Sequence, residues 1–344
     1  MEDSGAALAA AVEATVFLGY FKGMPDHRQV GKVVYPLDEV LLLALMAVLA
    51  GAEGFTDIAR FGEKKLDLLR RFRPFRNGTP SHDHLGDIFA ALDAQAFRCC
   101  FVAWVAGLTG TPPEVIAIDG KTSRRSGSKG ARDALHTVSA FAARERLVLA
   151  QVKTATKSNE ITAIPALLDL LSIKGAVVTI DAMGCQREIA RKIVDKGADY
   201  VLALKGNQAS LLGDVELFVK EQKSVNFAQA EISTHQTIDA DHGRIETRHA
   251  TLIHDVGWLQ DRHDWPGLKA VIVIDSTRDM GAKSECETRF YLTSSPLNAT
   301  ELAPMVRDHW AIENSLHWVL DMAFKDDESR VRTDQAPENF VTIK

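Results

Sequence analysis

Two short runs of apolar residues, each closed by an aspartate, constrain this chain most. Val115-Ile116-Ala117-Ile118 leads into Asp119, and Ala176-Val177-Val178-Thr179-Ile180 leads into Asp181. Runs of four or five such residues read as buried strands. A carboxylate at the end of a buried strand must be desolvated, hydrogen-bonded or bound to a metal. A third carboxylate, Glu313, lies inside the helix-like stretch Arg307–Lys325. Its helical neighbours are Trp310, Leu316, His317, Val306 and Leu320, a mostly apolar face that normally means core. Glu313 therefore needs a partner, either an arginine such as Arg307 or a metal. For either aspartate alone, capping the element that follows it is the plain alternative. Taken jointly, the three make a plausible site for divalent cations. Mg²⁺ takes oxygen ligands, and two such ions about 4 Å apart activate an attacking oxygen and stabilise a leaving one at a phosphate.

Composition narrows the frame without choosing a function. The 344 residues are 46% hydrophobic and 25% charged, ordinary for a globular chain of two or three sub-domains. Cys99, Cys100, Cys185 and Cys286 form no CxxC pair, so neither a zinc site nor a disulfide framework is indicated. A reducing cytoplasm fits. The N-terminus is acidic and Ala-rich, unlike a secretory signal. The longest apolar run, Val40–Ala52, falls short of the ~20 residues a membrane span needs, so no membrane partner is expected. The net charge of −6 argues mildly against nucleic acid. Basic residues do cluster at Lys64–Arg76 and at Lys121, Arg124, Arg125, Lys129 and Arg132, where a solvated face is the plain alternative.

The pattern along the chain splits near residue 110. Residues 1–110 read as a helical N-terminal domain, with one helix capped by Ser81 or Asp83 and running to about Leu108. Gly107–Pro113 reads as a linker. From 114 to 344 the order is a strand at Val115–Ile118, a hairpin of His136–Ala143 and Leu147–Ala155, and a helix over Ile161–Leu171. A strand at Ala176–Ile180, a helix over Gln186–Lys196 and a strand at Tyr200–Leu204 follow. This is an α/β fold with a mixed sheet and flanking helices. A β-rich insertion at about 225–295 holds strands at Thr247–His254, Ala270–Asp275 and Thr288–Leu292, and helices return at Ala299–Val306.

Several strings together carry a resemblance. They are Ile118-Asp119-Gly120-Lys121, Lys157-Ser158-Asn159-Glu160-Ile161, Ile180–Gln186, Leu204-Lys205-Gly206-Asn207-Gln208, Asp241–Arg248 and His309-Trp310-Ala311-Ile312-Glu313-Asn314. With the N-terminal Pro80-Ser81-His82-Asp83, these resemble the H-repeat-associated transposases of bacterial insertion sequences, of the DDE class. The resemblance implies an RNase H-like catalytic domain, with Asp119, Asp181 and Glu313 as a metal-binding triad. It implies two Mg²⁺ ions, with Mn²⁺ as a possible substitute. It further implies DNA partners in the form of element ends and target, a homodimer on DNA, and a bacterial, nucleoid-associated location. Related transposases carry Tyr, Arg and Lys around the Glu. Val306, His309 and Leu320 stand at those positions here, so those roles do not carry over, although His309 is a candidate for a phosphate. Relatives also continue past the point matching Lys344.

On that resemblance the expected activity is cutting of element ends and their joining to target DNA by two-metal phosphoryl transfer. Lys121, Lys157, Lys205, Asn207, Arg244 and His309 are the candidate DNA contacts, and Gly206-Asn207-Gln208 opens a helix whose N-terminus favours phosphate. The alternative is a shortened, inactive or domesticated relative that only binds DNA. A nucleotide-binding enzyme is disfavoured, since neither GxGxxG nor GxxxxGK occurs.

Overall fold

The computed structural model describes residues 15–110, 113–127, 134–154, 160–228, 230–241, 244–281 and 284–344. Its first part is helical. A helical stretch over 15–21 precedes α1 (Leu37–Leu49), α2 (Phe55–Lys64), α3 (His82–Ala91) and α4 (Ala94–Thr109). The apolar run at Val40–Ala52 is a core helix, with Val40 to Ala44 sealed from solvent. The single helix expected from Ser81 to about Leu108 is two helices meeting at 93°. Asp93 explains the break, because its Oδ1 accepts from the Ala96 N–H at 2.8 Å and starts a new helix. No single helix among the described residues is long and apolar enough to cross a membrane. The bent pair α3–α4 passes on length and composition, but its Leu85, Ile88, Phe89 and Phe97 fill the helical core.

The rest is built on one sheet. β1 (Val115–Ser123), β2 (Leu135–Ala142) and β3 (Leu147–Thr154) form an antiparallel meander. After α5 (Glu160–Asp169) come β4 (Val177–Ile180), α6 (Arg187–Asp195), β5 (Asp199–Leu204) and α7 (Ala209–Ser224). β4 lies parallel to β1, and β5 parallel to β4. This half, in the order β3-β2-β1-β4-β5, is the expected RNase H-like sheet.

The β-rich segment supplies β6 (Ile232–Asp241), β7 (Arg244–Ile253), β8 (Ala270–Asp279) and β9 (Ser284–Thr293). These strands do not form a layer of their own. β9 pairs antiparallel with β5, from Val201↔Thr293 to Leu204↔Phe290, and the sheet continues as β9-β8-β7-β6. The sequence reading missed β6. It is an edge strand of mostly polar residues, and polar edges resist further pairing while showing little apolar pattern. The chain closes with α8 (Ala299–Asp308), a π-helical turn at Ile312–His317, α9 (Trp318–Met322) and α10 (Ala336–Ile343).

Alternation along the strands sorts side chains onto two faces. Ile116, Ile118, Val178, Ile180 and Leu202 pack under α5, α6 and α7. Val115, Val177 and Val201 pack on the other face with Leu302 and Met305 of α8. Beside them Ala117 and Phe141 meet Ile312, Leu316 and Leu320. A separate core holds the N-terminal helices, and Ala336, Phe340 and Ile343 of α10 complete it.

Candidate active site

The register of the parallel strands sets the site. β1 and β4 pair from Val115↔Val177 to Ile118↔Ile180 and stop there. Asp119 and Asp181 are the next residues on each strand, so their backbones stand at the same level. β1 does not end at Asp119 as the sequence reading had it. It runs on to Ser123, held by β2 alone. Asp181 also does the capping work considered for it. Its Oδ1 accepts from the Met183 N–H at 3.0 Å and the Gly184 N–H at 3.3 Å.

Glu313 lies near enough to Asp119 for its charge to bear on it. It sits on the π-helical turn rather than on a regular α-helix. Ile312 and Leu316 bury beneath it against Ala117 and Phe141, which leaves Glu313 exposed. Arg307, the partner considered for it, pairs instead with Asp239 at 2.5 Å. Single π turns are frequent at functional sites because they turn one residue off the regular spiral.

The electrostatics tie the three together. Burial pushes the Asp119 carboxyl up to about 7, and the charges of Asp181, Glu160 and Glu313 push it the same way, against a hydrogen bond from the Gly120 backbone. No ammonium or guanidinium pairs with Asp119, Asp181 or Glu313 among the described residues. The nearest base to Asp119 is His317, whose Nδ1 lies 3.7 Å from Asp119 Oδ2. Burial, with Lys121 next in strength, pushes His317 down to about 4, so it is neutral at pH 7. Its Nε2 is buried without a partner. His309 sits 3.1 Å from Thr179 Oγ1 through Nδ1. Burial holds it below the usual imidazole range, opposed by Asp181.

Among the described residues no three His, Cys, Asp or Glu side chains already stand at metal-coordinating spacing. The donor chemistry nevertheless suits a hard divalent cation. The side chains offer oxygens, their like charges bear on Asp119, and no Lys or Arg among the described residues pairs with them.

Residues 110–344 match the Transposase DDE domain family, and residues 18–105 match the family described as DDE_Tnp_1-associated. The chain belongs to the DDE transposases. Among its relatives, YncI of Escherichia coli O157:H7 is 43% identical over 95% of this chain and 85% of its own length. The H repeat-associated YhhI of Escherichia coli K12 is 40% identical over 93% and 86%. A piggyBac transposase synaptic complex with hairpin DNA aligns over 92% of this chain and 68% of its own, at a TM-score of 0.40 and 9% identity. That likeness is too loose to bear on the site.

The expected DNA contacts of the transposase fall in different settings. Lys205 is exposed and makes no ion pair among the described residues. Asn207 donates from Nδ2 to Ala182 O at 2.5 Å, and Gln208 donates to Cys185 O at 2.9 Å, so this turn braces the loop after Asp181. Lys121 is buried, with Nζ 2.6 Å from Asp321, 3.5 Å from Asp327 and 3.9 Å from Asp326. Its charge is met inside the protein. Lys157 lies outside the described residues, as does the side chain of Arg244 at the start of β7.

Asp326 is buried between Ser123 and Lys344. Glu160 is a fourth carboxyl near Asp119 that the sequence reading did not single out, although the quoted string Lys157–Ile161 contains it. Cys99 is exposed.

Proposed function

We propose that the transposase cuts the ends of its element and joins them to target DNA, with Asp119, Asp181 and Glu313 as the catalytic carboxylates. The observation that supports this reading is that the charges of Asp181 and Glu313 both bear on Asp119 at the end of the β1–β4 pair, with no Lys or Arg among the described residues paired to any of the three. Mg²⁺ ions, or Mn²⁺ in their place, are the fitting occupants. Such a cation supplies activation of an attacking oxygen and stabilisation of a leaving one at a phosphodiester.

The protein's own groups supply orientation. Asp119 comes from a strand, Asp181 from a backbone-capped loop, and Glu313 from a turn anchored by Ile312 and Leu316. His317, pushed down to about 4 by burial, adds no competing positive charge beside Asp119. Lys205 stands free to meet a phosphate. A cleft of about 610 Å³ opens beside Glu313, between Trp310 and Asn314 on one side and Arg248, Arg278 and Arg289 on the sheet. Each guanidinium there already faces a carboxylate, Arg248 with Asp239 and Glu246, Arg278 with Glu246 and Arg289 with Glu287, so a DNA phosphate would compete with those pairs.

The test is nicking of labelled DNA that carries the element ends. Wild-type protein with Mg²⁺ is expected to nick it, and Asp181→Ala to lose at least a thousandfold in rate. Equal nicking by the variant would remove Asp181 from the chemistry. Binding without nicking by either protein would support the alternative of a DNA-binding relative.

A further inference from the structure

Gly120 follows Asp119 on β1, and the space over it is occupied. A Cβ at Gly120 would collide with the Glu160 carboxyl and lie 2.8 Å from His136 Nε2. Glu160 opens α5 and is buried; His136 on β2 is buried too. The imidazole bridges two elements. Its Nε2 lies 2.6 Å from Glu160 Oε1, and its Nδ1 lies 2.7 Å from Thr122 Oγ1 on β1. With the proton on Nε2, the ring donates to Glu160 and accepts from the Thr122 hydroxyl.

This is a costly arrangement if it is only scaffolding. A buried carboxylate beside Asp119 adds like charge there, and no Lys or Arg among the described residues pairs with it. Well-packed apolar residues of similar size usually serve stability as well or better. Strongly interacting titratable groups placed in a cleft point instead to function. Glycine leaves the backbone at 120 its widest freedom, and the Glu160–His136 pair fills the space a side chain at 120 would take.

We infer that Glu160, held by His136 against Gly120, is a positioning residue that fixes Asp119 and strengthens the hold of the carboxylate site on a divalent cation. The inference rests on reading Asp119, Asp181 and Glu313 as that cation site. Two effects act together. The clamp restricts the Asp119–Gly120 backbone, and the fourth carboxylate deepens the negative potential. Partners behind metal ligands typically change metal affinity ten- to a hundredfold.

The experiment is Mn²⁺ binding to the metal-free full chain without DNA, read from loss of the free-ion electron paramagnetic resonance signal. Thermal melting runs alongside on each variant. Asp181→Asn is expected to weaken binding at least tenfold. Glu160→Gln keeps an acceptor for His136 and is expected to weaken binding about tenfold with its melting midpoint little changed. Gly120→Ala, which displaces the Glu160 carboxyl without deleting it, is expected to weaken binding similarly. If Asp181→Asn binds like wild type, the cation-site reading itself fails. If Asp181→Asn is weakened but Glu160→Gln and Gly120→Ala both stay within twofold of wild type, the positioning role is overturned. Should Glu160→Gln not fold, His136→Gln replaces it under the same criterion.

Discussion

Asp119 holds its proton up to about pH 7 because burial and three neighbouring carboxyls penalise its charge. An unfolded aspartate releases that proton near 3.8. A group whose folded pKa is raised stabilises the fold fully below its unfolded value. That contribution is lost as pH rises through the folded value. Metal-free protein is therefore expected to lose thermal stability from about pH 4 to about pH 7, and Asp119→Asn to flatten the fall. Melts in a chelating buffer across that range check this. A wild-type curve no steeper than the variant's would show that Asp119 is not the group responsible.

The helix break between α3 and α4 rests on two side chains far apart in sequence. Asp93 caps α4, and Asn339 on α10 donates to the Phe89 and Leu92 carbonyls at 2.8 and 3.0 Å. Asn339→Leu leaves both carbonyls buried and unmet. It is expected to destabilise the protein by about 2 kcal/mol, measured as a drop in the urea midpoint. Such a break is hard to read in sequence, because Asn339 acts across the fold and Asp93 alone looks like any helical acid. The strands of the RNase H-like half were legible, since their apolar runs are short and bounded. So was the place of Asp119 and Asp181 directly after those runs. β6 was not, because an edge strand needs little apolar character. Nor was the π turn under Glu313, whose residues Ile312 to His317 fit a regular helix equally well in spacing. Glu160 escaped notice because its importance arises from Gly120 and His136, which only the fold brings beside it.

At the scale of the molecule, the helical core is assembled from both ends of the described chain. Phe340 on α10 packs on Phe55 at 4.8 Å and Phe89 at 6.4 Å between ring centroids. Phe340→Ala is expected to cost about 4 kcal/mol. The loss should show first as faster amide hydrogen exchange in α1 and α3, while β1 and β4 keep their protection. Uniform loss across both regions would mean that the molecule opens as one unit. The same closure has a consequence for synthesis. The Ala94 N–H is met by Gln335, 241 residues later, so a ribosome must make nearly the whole described chain before α10 can complete the helical core. During that interval the nascent protein has an unfinished N-terminal half, and a chain broken off early by the translation machinery would be left in the same state.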